Sequence, residues 1–463
     1  MKFSNNKKLI LFLILWLMFW AGYNTDIGRV LSPEFPNNTL DLLHGLRAFL
    51  PILSACLAMI FLLVKRPLSI KPLFGPLGLL MLYTILGIIS SIFSKDPVRA
   101  LYWAVMYGAV ILVLWAIAKN SNSLHYISFI IKANWAIAAI ISIGLLVFFL
   151  IQPGAISSLT SNFLICSQRP YETLGNIKAE IGTIGMAGTR PTGLGRYAGL
   201  VAIIAFVKFC YNKKRLKFFW FFLFLLFLFI LLFSKGKTEI IAFIIAIIFI
   251  LWLRDKLKTP LILVVGVVLL LGSLIIFYNI PCTNSISFVG SSASKNSAPE
   301  SIVNPPATPP ATPPANTLTL KNIKSISTLG GRTTGVWREG WKLFLSSPLI
   351  GYGFQADRIF LEGQHVHNTL LQALIQTGLL GTIPFVFAFI ITGIILFHLL
   401  KSFSVTKEEK IFLIEITAVL IFFIIRGITE SLAFFSSDWL FIAPLLAYIT
   451  ILNQKNLFQY NPT

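Results

Sequence analysis

Charged residues are scarce in this sequence. Only 12% of its 463 residues are Asp, Glu, Lys or Arg, whereas 56% are hydrophobic. The hydrophobic residues fall in runs of about twenty and do not alternate with polar residues, which is typical of helices that cross a lipid bilayer. A soluble chain of this length would split into about two or three cores. The composition therefore excludes a soluble fold and predicts an all-α integral membrane protein.

Cysteines are also few. The four cysteines show none of the paired spacings of a zinc site, which excludes cysteine chemistry as the function; they are Cys56, Cys166, Cys210 and Cys282. On the topology predicted below, Cys166 and Cys282 lie outside the cytoplasm, where disulfides are permitted. The sequence leaves open whether they are bridged, because it gives no distance between them.

Small residues are missing from the end of the first apolar run, 9–23. Trp16, Phe19 and Trp20 stand where cleavage of a signal peptide requires small side chains. We therefore predict that this run is retained as the first membrane span.

Twelve apolar segments are each long enough to cross roughly 30 Å of hydrocarbon. They lie at 9–23, 41–64, 73–94, 99–118, 126–151, 193–211, 217–234, 238–254, 260–280, 379–400, 411–428 and 439–453. The sequence thus predicts about twelve transmembrane helices.

Basic residues are concentrated in alternate connecting segments, such as 213–217 and 254–258. The positive-inside rule places these segments, and with them both termini, in the cytoplasm. Most of the net charge of +21 is explained in this way, so nucleic acid is not required as a partner. The remaining cations stand at or near the outer ends of spans, which indicates an anionic substrate outside the cytoplasm.

Two outer segments are long, and they divide the chain. The first is a periplasmic loop at 152–192, within the part that holds spans one to nine, 1–280. The second is a large periplasmic loop at 281–366, between the ninth and tenth spans, with a proline-rich linker at 303–316. The last part, 367–463, holds a periplasmic helix start and spans ten to twelve.

The linker at 303–316 lacks core-forming residues, and its repeated Pro-Pro-Ala-Thr sequence predicts an extended, solvated spacer. Deleting residues 305–314 should leave activity largely intact, because such a spacer contributes reach and no contacts. The measurement compares the deletion variant with the intact chain at equal amounts in the membrane. An inactive variant that inserts normally would show that the linker is a binding element.

Three motifs with fixed spacings follow the linker. They are His367-Asn368 followed after nine residues by Gly378 and Gly381, Arg332 with Trp337, and Pro348 with Gly351 and Gly353. This region resembles the O-antigen ligase and polymerase superfamily of membrane glycosyltransferases. Its members show a His-Asn pair, nine residues and Gly-x-x-Gly, preceded by Arg-x-x-x-x-Trp and Pro-x-x-Gly-x-Gly.

The resemblance implies a metal-independent, inverting transfer of a glycan from an undecaprenyl-diphosphate carrier, without a cofactor, at the periplasmic face of a bacterial inner membrane. The leading interpretation is ligation of O-antigen to lipid A-core. The alternative is a polymerase that joins repeat units on the same carrier, with a glycan as acceptor. A solute transporter and a structural scaffold are alternatives from other classes, and the collection of polar residues at the outer face disfavours both.

Such a transfer needs a base for the acceptor hydroxyl and positive charge for the departing diphosphate. We assign the base to His367, which precedes an amphipathic run and should stand at a helix N-terminus, where the dipole favours the neutral ring. The candidates for binding the diphosphate are Arg190, Arg196, Lys235, Arg332 and Arg338. The family usually has an arginine at the position of Lys235, and lysine lacks the planar fork of a bidentate phosphate contact.

Each of these cations also has a structural interpretation. Arg190 and Arg196 would extend to the outer membrane–water interface, and Lys235 would be solvated. Arg332 and Arg338 would pair with Glu339 and Asp357. Four further residues are supporting candidates: His365, Asn368, Arg426 and Glu430. Arg426 and Glu430 lie four apart on a predicted helix, so an ion pair within that helix is their default interpretation. Trp337 and Trp341 are interpreted as packing residues or interfacial anchors and not as sugar platforms.

Overall fold

The computed structural model describes residues 5–23, 36, 39–64, 73–151, 191–212, 214–234, 236–254, 335–361, 363–402 and 405–460. Within these ranges the chain forms helices and no β-strand. The helices are α1 (Asn5–Gly22), α2 (Thr39–Val64), α3 (Pro76–Ser90), α4 (Pro97–Ala118), α5 (Ser123–Ile151), α6 (Pro191–Tyr211), α7 (Lys214–Phe233), α8 (Lys237–Arg254), α9 (Trp337–Ser346), α10 (Ala356–Phe360), α11 (Thr369–Lys401), α12 (Lys407–Arg426) and α13 (Ser437–Tyr460). The predicted all-α class is confirmed for the described residues.

Seven of the described helices, α2 to α7 and α11, are long and apolar enough to cross a membrane. The protein is therefore a multi-pass membrane protein. Helices α1, α8, α12 and α13 coincide with further predicted spans. The predicted ninth span, 260–280, lies outside the described residues, as do Cys166, Cys282 and the linker at 303–316. The count of twelve spans, the domain boundaries and the sidedness stay predictions.

Helix α4 lies at the centre of the bundle, because most of its side chains are buried against neighbouring helices. Aromatic rings fill the space around it. Tyr107 of α4 stacks on Trp439 of α13 with ring centroids 4.1 Å apart, and Phe354 packs 5.4 Å from the Tyr107 ring. The buried ring of Phe354 lies directly against Gly87 of α3, where a side chain larger than hydrogen would collide with it. The segment that follows α9 is thus anchored in the bundle.

Helix α11 is broken at Gly378, whose φ of 56° and ψ of −161° are not helical. The carbonyl group of Leu349 lies so close to Gly378 that a Cβ would collide with it. On both sides of the break the backbone pairs with the segment 348–353: Leu379 N donates to Pro348 O at 2.8 Å, and Gly353 N donates to Gln376 O at 2.7 Å. The glycines of the two predicted motifs therefore meet, and they do so because only glycine allows this backbone approach.

The helix ends that the sequence places on the outer side come together in the structure. These are the beginnings of α6, α8, α11 and α13 and the end of α12. Hydrogen bonds join them: Thr369 N at the start of α11 donates to Gly427 O after α12 at 3.0 Å, and Thr238 of α8 bonds Thr429 at 2.8 Å between hydroxyl oxygens. Most of the predicted site residues lie at this end of the bundle.

Candidate functional site

The structure describes seven of the predicted site residues. His367 and Asn368 precede α11, and His365 lies two residues earlier. Arg196 lies in the first turns of α6, Arg338 lies on α9, Arg426 ends α12, and Glu430 lies in the turn beyond it. Arg190, Lys235 and Arg332 lie outside the described residues, so their roles stay predictions.

Asn368 is the N-cap of α11, and this explains why asparagine follows the histidine. Its Oδ1 accepts a hydrogen bond from Leu371 N at 2.8 Å, which satisfies a backbone donor that the first helical turn leaves open. Its Nδ2 donates to Ile428 O at 2.9 Å, so the cap also ties α11 to the turn after α12. Asn368 thus fixes the backbone beside His367.

His367 adopts a left-handed backbone conformation, with φ at 47°. Such a conformation costs a non-glycine residue about 1–3 kcal/mol and persists only where the surrounding structure imposes it. On one side stands the capped start of α11, and on the other stands Val366, which is fully buried and accepts a hydrogen bond from Trp337 Nε1 through its carbonyl. The constraint presents the imidazole of His367 at a defined position above the N-terminus of α11.

The imidazole of His367 is oriented by Glu430. Its Nδ1 lies 3.1 Å from Glu430 Oε2. A carboxylate at Nδ1 favours the tautomer in which Nδ1 carries the proton and Nε2 carries the lone pair that a general base uses. The pair is reachable, since the His367 side chain is 32% exposed. The carboxylate would also stabilise the imidazolium that forms when the base accepts a proton.

His365 is held by a different carboxylate. Its Nδ1 hydrogen-bonds Asp357 Oδ2, which also accepts from Val366 N at 3.3 Å. Burial alone would raise the pKa of the Asp357 carboxyl, but the charge and hydrogen bond of His365, together with Arg358 and the Val366 N–H, hold that pKa below its ordinary value. The His365 side chain is only 9% exposed, and its ring centroid lies 4.6 Å from that of His367. His365 therefore fixes the loop that precedes α11 to Asp357, and His367 is the more accessible of the two rings.

A buried network of charges lies beside the 427–432 turn, which follows directly after Arg426. Asp438 accepts from Arg196 Nη1 at 2.8 Å and from Arg426 Nη1, and Arg426 Nε donates to Glu239 at 2.9 Å. All four side chains are buried. Buried charges are tolerated only when they are paired in this way. The network joins α6, α8, α12 and α13, and Glu430 lies close enough to Arg426 to interact with it electrostatically.

Two structural alternatives from the sequence are corrected by this network. Arg196 does not extend to the interface, because it is buried and paired with Asp438. Helix α12 ends at Arg426, so Arg426 and Glu430 do not form an ion pair within one helix. The guanidinium of Arg426 instead crosses to neighbouring helices, and Glu430 orients His367.

Arg338 lies on the exposed side of α9, where its Nε is 3.5 Å from Glu339. Lys342 also pairs with Glu339 at 3.0 Å, and these neighbours lower the pKa of the exposed Glu339 carboxyl. The predicted pairing of Arg338 with Glu339 is thus present. Asp357, which the sequence offered as a second partner for the arginines, binds His365.

Sequence reasoning missed Glu239 and Asp438. Each stands in the first turn of its helix, at a predicted outer end of a span. An acidic residue at the outer end of an apolar run, in a chain with only 17 acidic residues, was the available signal.

Residues 220–386 match the family model described as O-antigen ligase. The matched range contains His367, Asn368 and both glycine motifs, so the resemblance predicted from these motifs is confirmed. The site therefore lies in a region of a multi-pass membrane protein that matches the O-antigen ligase family.

Among curated proteins, the chain is similar to the exopolysaccharide production protein ExoQ of Rhizobium meliloti (strain 1021). The alignment, which is 38% identical over 73 residues, covers 12% of this chain and 17% of that protein. The chain thus matches less than a fifth of the length of this relative.

Proposed function

We propose that this protein transfers a glycan from an undecaprenyl-diphosphate carrier to a hydroxyl acceptor at the periplasmic face of the inner membrane, with inversion and without a metal. The observation that carries the proposal is the His367–Glu430 pair at the capped start of α11, inside the region that matches the O-antigen ligase family. The leading form of the reaction is ligation of O-antigen to lipid A-core.

The pair can supply the base chemistry of this reaction. The acceptor oxygen attacks the anomeric carbon from the side opposite the diphosphate, and the bond between that carbon and the diphosphate oxygen breaks. The acceptor's proton moves to His367 Nε2, and the Glu430 carboxylate stabilises the resulting imidazolium. The diphosphate leaves with the bonding electrons, so fixed positive charge at its position lowers the barrier.

Arg196 is the described cation that best fits the leaving diphosphate. Its Nη1 is engaged by Asp438, whereas its Nε is buried and has no hydrogen-bond partner among the described residues. A buried donor of this kind gains a partner when an anion binds. Arg190, Lys235 and Arg332 are proposed to complete the diphosphate site from the neighbouring outer segments.

A polymerase that joins repeat units on the same carrier is the second candidate. It uses the same donor and the same base, and differs only in the acceptor. The similarity to an exopolysaccharide production protein supports it, because that name describes the production of a polysaccharide.

The ionisable groups within the spans give less support to a transporter than the outer site gives to glycan transfer. Glu415 of α12 is fully buried, but it forms an ion pair with Lys208 of α6. This pair lies toward the end of the bundle opposite His367, since Lys208 is in the last turn of α6. Because each charge lies beside one of opposite sign, the pair supports a structural role.

The product formed from a defined donor tests the proposal. Purified protein in proteoliposomes is supplied with an undecaprenyl-diphosphate oligosaccharide, together with lipid A-core. Glycan on lipid A-core supports ligation, and longer carrier-linked glycans support polymerisation. Lipid A-core and the carrier-linked oligosaccharide itself are then both present as acceptors. If well-folded protein leaves the donor unchanged under these conditions, the proposed function is wrong.

Activity should persist in EDTA. The outer segments contain no Asp-x-Asp pair of the kind that holds Mg²⁺ on a diphosphate, and arginine and lysine are proposed to meet the diphosphate charge instead. The measurement compares the initial rate of transfer before and after chelation, with the same protein returned to Mg²⁺ as the control. A rate that falls with EDTA and returns with Mg²⁺ or Mn²⁺ would contradict this prediction.

A further inference from the structure

Within the part of the chain that the structure describes, helix α9 packs against other residues on one side only. Gly340 and Phe344 face a small core with Val366, Leu371 and Ile375, and a Cβ on Gly340 would lie only 2.9 Å from the Val366 side chain. The next edge of α9 is apolar but exposed: Trp341 is 50% and Leu345 58% accessible. Large apolar side chains arranged along one exposed edge indicate an interaction surface.

Around the axis of α9, the side chains change in order from apolar to cationic to polar. Successive residues of a helix turn by about 100°. The core-facing side is followed by the edge of Trp341 and Leu345, then by Arg338 and Lys342, and then by the side of Ser346. Helices that lie in a membrane interface have this arrangement, with an apolar side in the acyl chains and basic residues at the headgroups.

The apolar edge of α9 continues onto the surface of α11. Leu349, three residues beyond α9, is exposed, and its carbonyl accepts from Leu380 N at 3.1 Å. Leu380 and Ile383 are exposed on α11, which is long and apolar enough to cross the membrane. An exposed apolar face of a spanning helix faces lipid. The edge of α9 therefore lies at the level where this lipid-facing surface begins.

A groove of about 450 Å³ runs along the junction between α9 and the first turns of α11. Its walls are mainly apolar and aromatic, with Trp337, Trp341, Leu370 and Leu374 among the lining residues. Arg338 and Lys342 line it on the α9 side, and it reaches Asn368, the neighbour of His367. Two cations share one carboxylate here, that of Glu339, so the groove has an excess of positive charge.

We propose that α9 lies in the membrane interface and that its groove binds anionic phospholipid from the bilayer. The acyl chains contact Trp341, Leu345 and Leu349, and the lipid phosphate lies at Arg338 and Lys342. Charge complementarity and continuity with the lipid-facing side of α11 identify this occupant.

Fluorescence quenching in nanodiscs tests the position of α9 without any substrate. A fluorophore is attached to Leu345→Cys in protein whose native cysteines are replaced by serine, and Ser346→Cys is the matched control on the polar side of the same helix. Lipids that carry a nitroxide should quench the label at 345 several-fold more than the label at 346, and aqueous iodide should do the reverse. Stronger iodide quenching at 345, or protection of 345 from both quenchers, would overturn the proposal in favour of water or a protein partner.

The charge of the lipid gives the second readout. Nitroxide-labelled phosphatidylglycerol should quench the label at 345 more than nitroxide-labelled phosphatidylcholine does, and this difference should disappear when Arg338→Gln and Lys342→Gln are combined. Equal quenching by the two lipids in the unsubstituted background would overturn the assignment of the phosphate to these cations. Because neither measurement uses a glycan donor, failure here is distinct from failure of the proposed transfer.

Discussion

His367→Ala should abolish glycan transfer while leaving the protein folded and inserted in the membrane. Loss of a general base costs on the order of 10²–10⁴ in rate. The His367 side chain is partly exposed and is not part of the packed core around Val366, so its removal should leave that core in place. The measurement is the initial rate of transfer by equal amounts of purified variant and parent in proteoliposomes.

His365→Ala is the matched control for the base. It removes a neighbouring imidazole from the same loop, but one that binds the buried Asp357 and is far less exposed. Its rate should fall much less than that of His367→Ala. Near-normal transfer by His367→Ala, or equal losses in both variants, would remove the assignment of the base to His367.

Asp438→Ala should cause the largest loss of stability among single substitutions at this end of the bundle. Asp438 is buried and accepts from both Arg196 and Arg426, so its removal leaves two buried guanidinium groups short of a partner. Breaking a buried ion pair in this way costs about 3–5 kcal/mol. The effect is measured as the midpoint of thermal unfolding in detergent, with size-exclusion chromatography used to detect the loss of folded protein.

Glu339→Ala provides the comparison for Asp438. Glu339 also pairs with two cations, Arg338 and Lys342, but all three side chains are exposed. Ion pairs at a surface contribute little, so the unfolding midpoint of this variant should stay close to that of the parent. A midpoint for Asp438→Ala that equals that of Glu339→Ala would mean that the buried network does not stabilise the fold.

The local features of the site were predictable from the sequence. The amphipathic run after His367 predicts a helix N-terminus there, and α11 begins at Thr369 with Asn368 as its cap. The nine-residue spacing between the His-Asn pair and Gly378 was part of the family resemblance, and in the structure Gly378 is where α11 breaks. These features depend on residues close together in the chain, where spacing and backbone conformation carry the information.

The partners of the charged residues were not predictable. Arg196 and Asp438 are 242 positions apart, and Arg426 and Glu239 are 187 apart, so no local pattern links them. The i,i+4 rule suggested Glu430 for Arg426, but it holds only within a continuous helix, and α12 ends at Arg426. Long-range pairing depends on which helix ends meet, and hydropathy does not specify that.

The release of carrier diphosphate most directly tests whether His367 is the base of a glycosyl transfer. Proteoliposomes with the parent protein or with His367→Ala receive an undecaprenyl-diphosphate oligosaccharide labelled in the carrier, with and without acceptor, and the released undecaprenyl diphosphate is compared with the glycosidic bonds formed. The account predicts one released diphosphate for each bond formed by the parent, dependent on acceptor, and a release by His367→Ala that is lower by the factor expected for a lost base. Release by the variant at the parent's rate, or bond formation by the parent without release of the diphosphate, would contradict it.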